Sequence, residues 1–498
     1  MDKKPLPFKK GQVLELKIEK LAYKGIGIGY IDQEKNEKDE AGNIIKVSST
    51  KLVVFVPQTL PGEVCEVVIT KMKKQFWEGK KIKTIEKSAM EIEAPCPYFG
   101  VCGGCKWQNM PYDKQLETKE GFIKESLKYI GRANDPYDFL PIVPSPDQYF
   151  YRNKLELSAG VLAYIGQGEY HEKKEEVTEK IEGFYLGFHG AGSFDKIVDV
   201  DSCLLLSETA NQVLVIVKDF IKKRKLSAYN ARTHEGFIRH LVIREGKNTG
   251  EMMVNLVTNA TEDYTVEFFQ PLVDEFQLLE KDNVKFESVL WTQNDSLSDT
   301  AVGTNIQVIH GREYIFDKVG EYLFKISPYS FFQTNTHGAE KLYDVVKEFA
   351  DLQGGETVLD LYAGTGTIGM YLAKAAKKVF SLESEVSAVE DAKVNATMNN
   401  IMNIEFMCGK VEKEIARLIF EKPEVIVLDP PRAGMHPNAL QFLPRFNAKK
   451  IIYVSCNPTT LGRDLEFLQR WYTVKRVQGV DMFPQTYHVE TVVELIRK

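Results

Sequence analysis

The chain has 498 residues, 43% hydrophobic and 27% charged, a composition that excludes a disordered protein and a length that suits roughly three domains. Its 64 basic and 70 acidic residues give a net charge of −6, which taken whole argues against a nucleic-acid partner. The average conceals a split: residues 1–90 hold 18 Lys, no Arg and 12 acidic residues, so they carry +6 and the remainder −12. A basic module on an acidic body is the asymmetry of an electrostatic docking surface. The opening MDKKPLPFKK has no apolar run behind its lysines, and no stretch approaches the ~18 apolar residues of a membrane span. A cytoplasmic protein is expected, one in which seven cysteines serve as metal ligands, catalytic thiols or buried thiols rather than disulfides.

Residues 8–88 read as short β-branched strands broken by Gly and Pro, which predicts a small barrel. Residues 33–50 read as a polar insertion at a hairpin tip. Residues 71–87 hold seven Lys and two Glu around Phe76 and Trp77. Lysines attract phosphates regardless of sequence and an exposed aromatic can stack on a base, although the same run also suits a solvated edge strand guarded by Lys. Apolar spacing predicts a helix over 113–131. From Tyr149 to about 320 the pattern is strand-rich, with a helix within 211–225 and an exposed charged insertion over 161–182. From about 325, strands and helices alternate, which predicts a doubly wound, mostly parallel sheet.

Four motifs gather in this last region. DLYAGTGTIG (360–369) ends a strand and opens a helix, and Glu383 ends the next strand. Glycines there admit a ligand against the backbone, and a carboxylate at the next strand end can take both hydroxyls of a ribose. A Gly-rich loop alone could hold NAD; the D-x-x-x-G-x-G form fits S-adenosylmethionine better. VIVLDPPR (425–432) delivers Asp429 to the same sheet edge, and Arg432 stands where enzymes that methylate exocyclic amines often carry an aromatic. KIIYVSCNPTTLGRD (450–464) places Cys456 just past an apolar strand, before a helix start whose N–H groups favour a thiolate. Near the C-terminus, Glu490 opens a final strand. Methylating carbon 5 of uracil needs such a set: a thiolate adds to carbon 6, carbon 5 attacks a sulfonium methyl, and a base removes the carbon-5 proton so that the cysteine leaves.

DLYAGTG, LDPPR, VSCNPTTLGRDL and FPQTYHVE, with SPYSFFQTN (327–335) upstream, together resemble the RNA uracil-5-methyltransferase family, the RumA/TrmA group. The resemblance implies a Rossmann-like α/β methyltransferase domain, Cys456 as nucleophile and Glu490 as base. It implies Gln333, Tyr362, Glu383 and Asp429 as contacts of S-adenosylmethionine; Glu383 and Asp429 also follow from their place on the sheet. A fifth motif, Cys96-x5-Cys102-x2-Cys105, can wrap one metal centre and needs a fourth ligand, for which Cys65, Cys203 and Cys408 are candidates. Zinc would also suit such a set. The ribosomal-RNA branch of the family carries a [4Fe–4S] cluster on this spacing, with a fourth cysteine in a context like that of Cys203; Cys65 and Cys408 then read as buried thiols within strands. LAYKGIGIGYI, VVFVP and the LPGE turn resemble a TRAM domain, a small RNA-binding barrel, and YRNKLEL (151–157) resembles the family's central domain, with Arg152 toward the RNA or the cluster.

The expectation is therefore a TRAM-like, OB-like barrel over 1–90, a β-rich α+β central domain with the cluster over 91–322, and the methyltransferase domain over 323–498. The family resemblance implies that the helix near 113–131 packs on the catalytic domain. The expected activity is S-adenosylmethionine-dependent methylation of carbon 5 of a uridine in 23S ribosomal RNA through a covalent Cys456 adduct. The alternatives are the same reaction on transfer RNA, or an RNA-binding protein whose methyltransferase domain is inactive. RNA is the expected partner, with no membrane, no obligate protein partner, and a monomer.

Overall fold

The computed structural model describes residues 9–38, 44–133, 135–164, 182–190, 192–281 and 283–498. They form two compact units: Met1–Gly100 with Cys105–Phe122 and Gln485–Tyr487, and Val101–Gly104 with Ile123–Pro484 and His488–Lys498. Among the described residues no helix is long and apolar enough to cross a membrane.

In the first unit, β1 (Val13–Ala22), β2 (Ile26–Lys38), β3 (Ile44–Val56), β4 (Val64–Met72) and β5 (Phe76–Glu86) close into a barrel in the order β1-β2-β3-β5-β4. Strand alternation sends Leu16, Ile18, Val54, Val56, Val67 and Ile69 inward, and closure leaves no unpaired sheet edge. Two expectations change here. Residues 33–50 do belong to a hairpin, but its paired part reaches further than an insertion at the tip: residues 33–38 and 44–50 continue the β2–β3 ladder, with Gln33 opposite Thr50 and Asn36 opposite Val47. The polar sequence hid a pairing that the backbone makes by itself; residues 39–43 lie outside the described residues. Trp77, read as a candidate stacking aromatic, is 1% exposed in the barrel core, because alternation puts it on the inner face. Its neighbour Phe76 is half-buried, packed edge-on against Phe55, with the Lys73 ammonium 5.1 Å from its ring. Lys71 and Lys81 are tied to Glu78 and Glu63, while Lys73, Lys74, Lys80, Lys83 and Lys87 are exposed.

In the second unit, β7 (Lys154–Ala163), β8 (Glu182–His189), β9 (Lys196–Asp199), β10 (Ile238–Glu245), β11 (Glu251–Thr258), β12 (Lys285–Gln293) and β13 (Asn305–Gly311) form a sheet ordered β13-β12-β11-β10-β7-β8-β9. Of the expected insertion at 161–182, residues 165–181 lie outside the described residues. A hairpin of β14 (Ile315–Val319) and β15 (Tyr322–Ile326) precedes the helix Thr336–Ala350. An eight-stranded sheet follows, built of β16 (Thr357–Leu361), β17 (Lys378–Glu383), β18 (Ile404–Cys408), β19 (Val425–Leu428), β20 (Lys450–Ser455), β21 (Tyr472–Val480) and β22 (Glu490–Arg497) with the earlier β6 (Asp138–Val143), in the order β18-β17-β16-β19-β20-β22-β21-β6. Strands β16–β20 are parallel and β22 runs against them. The central strands are buried on both faces, which is why they read as continuous apolar runs. Ile123 and Leu127, from the second half of the helix Tyr112–Tyr129, join the core cluster that holds Leu361 and Leu428. Cys408 is exposed rather than buried, because β18 is the edge strand and ends on it. Cys65 is fully buried, as its strand pattern suggests.

Candidate active site

In a parallel sheet the carboxyl ends of the strands share one edge, and ligands collect where the strand order reverses. Here β16 ends at Leu361, β17 at Glu383, β19 at Leu428 and β20 at Ser455, while the antiparallel β22 begins at the same edge with Glu490. Ser455 pairs with Thr491, so Cys456 and Glu490 are the next residues outward on neighbouring strands. A cavity of about 790 Å³ lies at this edge, and Gln333, Tyr362, Glu383, Asp429, Cys456 and Glu490 all line it. Arg152 lines it as well, and its Nε is buried among the described residues without a hydrogen-bond partner.

The glycines of the β16 loop have separate physical reasons. Gly364 (φ +54°) faces open space: a Cβ there would meet only Phe331, at 3.9 Å. Gly366 (φ +77°) opens the helix Thr367–Ala373 and would drive a Cβ to 2.6 Å from Phe406. At Gly369 a Cβ would lie 2.7 Å from Ser381 Oγ and 2.8 Å from Asp360 Oδ2. One glycine opens the loop to a ligand and the other two let helix and strands close up. Tyr362, at φ +64°, holds a left-handed conformation uncommon for a non-glycine residue, in the turn where the chain leaves the sheet. Glu383 braces this loop: Oε2 accepts from Gly364 N–H (2.9 Å), and Oε1 accepts from Ser384 N–H (2.6 Å), Ser384 Oγ (2.9 Å) and Glu385 N–H (3.0 Å).

The chemistry-bearing end of the cavity is a dense group of acids. Glu490 is 5% exposed, and burial, then the facing Asp429, push it up to about 8, with Arg432 opposing. Burial, then Asp360, raise Asp429 to about 7. Burial, then Glu490 and Asp429, push the Cys456 thiol up to about 12, against Arg432 and a backbone N–H. The helix Pro458–Leu468 does start beyond Cys456, with Asn457 capping it through Thr459 N–H. The expected stabilisation of the thiolate by this helix start is nonetheless outweighed by burial and two carboxyl groups. Arg432 is the cation that works the other way. Its Nη2 lies 3.3 Å from His488 Nε2, and its carbonyl accepts from Asn457 Nδ2 at 3.0 Å.

Residue-type reasoning passed over Phe331, Phe483 and His488, which also line the cavity. They lie inside the quoted motifs SPYSFFQTN and FPQTYHVE, which was the available signal; their side chains carry no spacing that marks a reaction. The cysteine motif is a different case. Cys96 and Cys105 fall in the first unit and Cys102 and Cys203 in the second. Among the described residues no three or more His, Cys, Asp or Glu come together as a metal-holding group. No step of the reaction runs through a metal centre at these thiols. Cys203 is held by Asn211, whose side chain accepts from its N–H (2.7 Å) and donates to its carbonyl (3.1 Å).

Strand order, glycine loop and acidic strand end define a methyltransferase fold built to take S-adenosylmethionine, and the open face of Gly364 beside Glu383 fits that cofactor. Comparison with known proteins narrows the class. The family model for tRNA (uracil-5-)-methyltransferase matches residues 296–498, and that for the TRAM domain matches residues 7–82. An RNA methyltransferase of Clostridium tetani is 40% identical over 99% of both chains, and one of Caldanaerobacter subterraneus is 38% identical over 97% of this chain and 98% of its own. The crystal structure of Pyrococcus abyssi tRNA (uracil-54, C5)-methyltransferase with S-adenosyl-L-homocysteine superposes with a TM-score of 0.70 at 29% identity, covering 97% of this chain and all of that one. The chain belongs to the RNA (uracil-5-)-methyltransferase family, S-adenosylmethionine-dependent enzymes, here with an N-terminal TRAM domain.

Proposed function

We propose that the protein methylates carbon 5 of a uridine in RNA, with Cys456 as nucleophile and Glu490 as base. The observation that carries this reading is that one cavity at the sheet edge holds the thiol, the buried carboxyl and the glycine loop together. Gln333, Tyr362, Glu383 and Asp429 would hold S-adenosylmethionine, which supplies an electrophilic methyl group on a positively charged sulfur. Glu383 would exchange its bonds to the turn for the ribose hydroxyls, since four donors already occupy its acceptor sites.

Cys456 first gives its proton to Asp429, which leaves Glu490 ionised for the later step, and then forms the S–C6 bond while the C5=C6 electron pair moves onto the ring as an enolate. Carbon 5 would take the methyl group as its bond to the sulfonium breaks, the bonding pair staying on sulfur as a neutral thioether. Glu490 accepts the carbon-5 proton, the C5=C6 bond reforms, and Cys456 leaves as thiolate. Burial favours the protonated forms of Cys456, Glu490 and Asp429. A cation at the methyl-donor position and Arg432 both favour the ionised forms that the reaction needs. The target base must be flipped out or single-stranded to expose carbon 6.

For the substrate, the cysteine motif supports 23S ribosomal RNA. The second reading, transfer RNA, is favoured by the Pyrococcus relative, a tRNA (uracil-54, C5)-methyltransferase. Because that relative is matched over 97% of this chain, the barrel region does not choose between the two RNAs. The division into an RNA-gripping barrel (1–90), a central domain (91–322) and a catalytic domain (323–498), and a place in the cytoplasm, belong to the same proposal. The [4Fe–4S] cluster on Cys96, Cys102, Cys105 and Cys203 rests on sequence spacing and family resemblance. Mapping 5-methyluridine in total RNA from cells with and without the protein tests the function. A site lost from 23S RNA or from transfer RNA decides the substrate, and an unchanged map contradicts the reading.

A further inference from the structure

The cavity wall at 327–335 lies between β15 and the helix Thr336–Ala350 and has no regular secondary structure, yet it carries Phe331 and Gln333. It is held from outside. Asn153, 5% exposed, accounts for three bonds: its N–H donates to Thr334 O (2.9 Å), and its Nδ2 donates to Gln333 O (2.7 Å) and to Thr336 Oγ1 (2.8 Å). Thr336 in turn donates to the buried Asp317 (2.8 Å). The second strut is Arg244, 3% exposed, whose Nη2 donates to Pro328 O (3.0 Å) and Ser330 O (2.8 Å). The two struts are neighbours on the seven-stranded sheet: Arg244 pairs with Lys154, and Glu245 N–H donates to Asn153 O (2.8 Å).

Burying a guanidinium and a primary amide is unfavourable unless their donors are used. Here Arg244 Nη2 and Asn153 Nδ2 spend theirs on three carbonyls and the Thr336 hydroxyl of an irregular wall, while Arg244 Nε is buried without a partner among the described residues. The adjacent Arg152 lines the cavity, so this short stretch of chain both faces the site and braces it. We propose that Asn153 and Arg244 are positioning residues that set where Gln333 and Phe331 stand in the cofactor cavity. Neither touches the reacting atoms; they act through the backbone of the wall. The proposal rests on the reading of Gln333 as a cofactor contact.

The test is the affinity of the full chain for S-adenosylhomocysteine by calorimetry, which needs no RNA and no turnover. Asn153→Ala should weaken binding about ten-fold, the scale of one hydrogen-bond contribution. In a Gln333→Ala background, where there is no side chain left to position, the same change should cost less than about two-fold. Arg244→Met should likewise weaken binding about ten-fold, and Arg244→Lys, which keeps a cation with donors at the wall, should recover most of it. This pair decides the matter if Asn153→Ala does not fold. Folded variants that bind like the unaltered protein overturn the proposal, as does an Asn153→Ala penalty undiminished by Gln333→Ala. A tight-binding Gln333→Ala protein overturns it through its premise. If the unaltered protein fails to bind, the cofactor site itself falls, and both positioning roles with it.

Discussion

The pH dependence of stability reports the burial of Glu490 directly. Its carboxyl is raised from 4.5 to about 8, burial first and Asp429 second. Between those values the unfolded chain has released the proton and the folded chain retains it, so stability falls as pH rises through the window and the contribution is gone above about pH 8. Between about pH 5 and about pH 8.5 the loss amounts to roughly 2–4 kcal/mol, the lower figure applying where Asp429 gives up its own charge to relieve the pair. Glu490→Gln removes the titration while its uncharged amide adds a pH-independent cost. Subtracting the two pH values cancels that cost. The second unit has about 380 residues, so 1 kcal/mol corresponds to roughly 1.3 °C. The melting temperature of Glu490→Gln relative to the unaltered protein should therefore be about 3–5 °C more favourable at about pH 8.5 than at about pH 5. A difference that stays constant with pH, or runs the other way, refutes the claim that Glu490 sits in a site that opposes its charge.

Other predictions follow from the same geometry. Gly366→Ala must place a Cβ 2.6 Å from Phe406 at φ +77° and should cost roughly 2–3 kcal/mol in unfolding experiments, whereas Gly364→Ala has open space and should cost only about 1 kcal/mol while weakening S-adenosylhomocysteine binding. Asp429→Asn removes a carboxyl that raises both Cys456 and Glu490, so iodoacetamide should alkylate Cys456 several-fold faster at about pH 8.5; an unchanged rate argues against their coupling. Iron and acid-labile sulfide analysis after anaerobic purification, with Cys203→Ser as control, decides the cluster. Four irons lost in the variant support it, and iron-free protein in both removes it.

The catalytic half was legible because its signals are local. A strand that must be buried on both faces reads as an apolar run, and the residue at its carboxyl end is then placed at the ligand edge by topology alone; Glu383, Asp429 and Cys456 were found this way. The rest failed for reasons that also lie in the physics. Trp77 was misread because alternation sets its face, and the register that fixes alternation is not visible in a lysine-rich run. The thiol's environment was misjudged because a helix start is visible in sequence, while burial against two acids from other strands is not. Cys408 needed the strand order, which places β18 at the sheet edge. Asn153 and Arg244 act through backbone carbonyls far along the chain, and no spacing rule could reach them.

The central claim is the covalent route through Cys456. Fluorine at carbon 5 cannot leave as a proton does, so substrate RNA carrying 5-fluorouridine at the target should remain attached to the protein after methyl transfer, in a complex that survives denaturing gel electrophoresis. Mass spectrometry of the digested complex should place the nucleotide on Cys456, and Cys456→Ala should form none. Methyl transfer to the same RNA position without any adduct, or an adduct that persists in Cys456→Ala, would contradict the account.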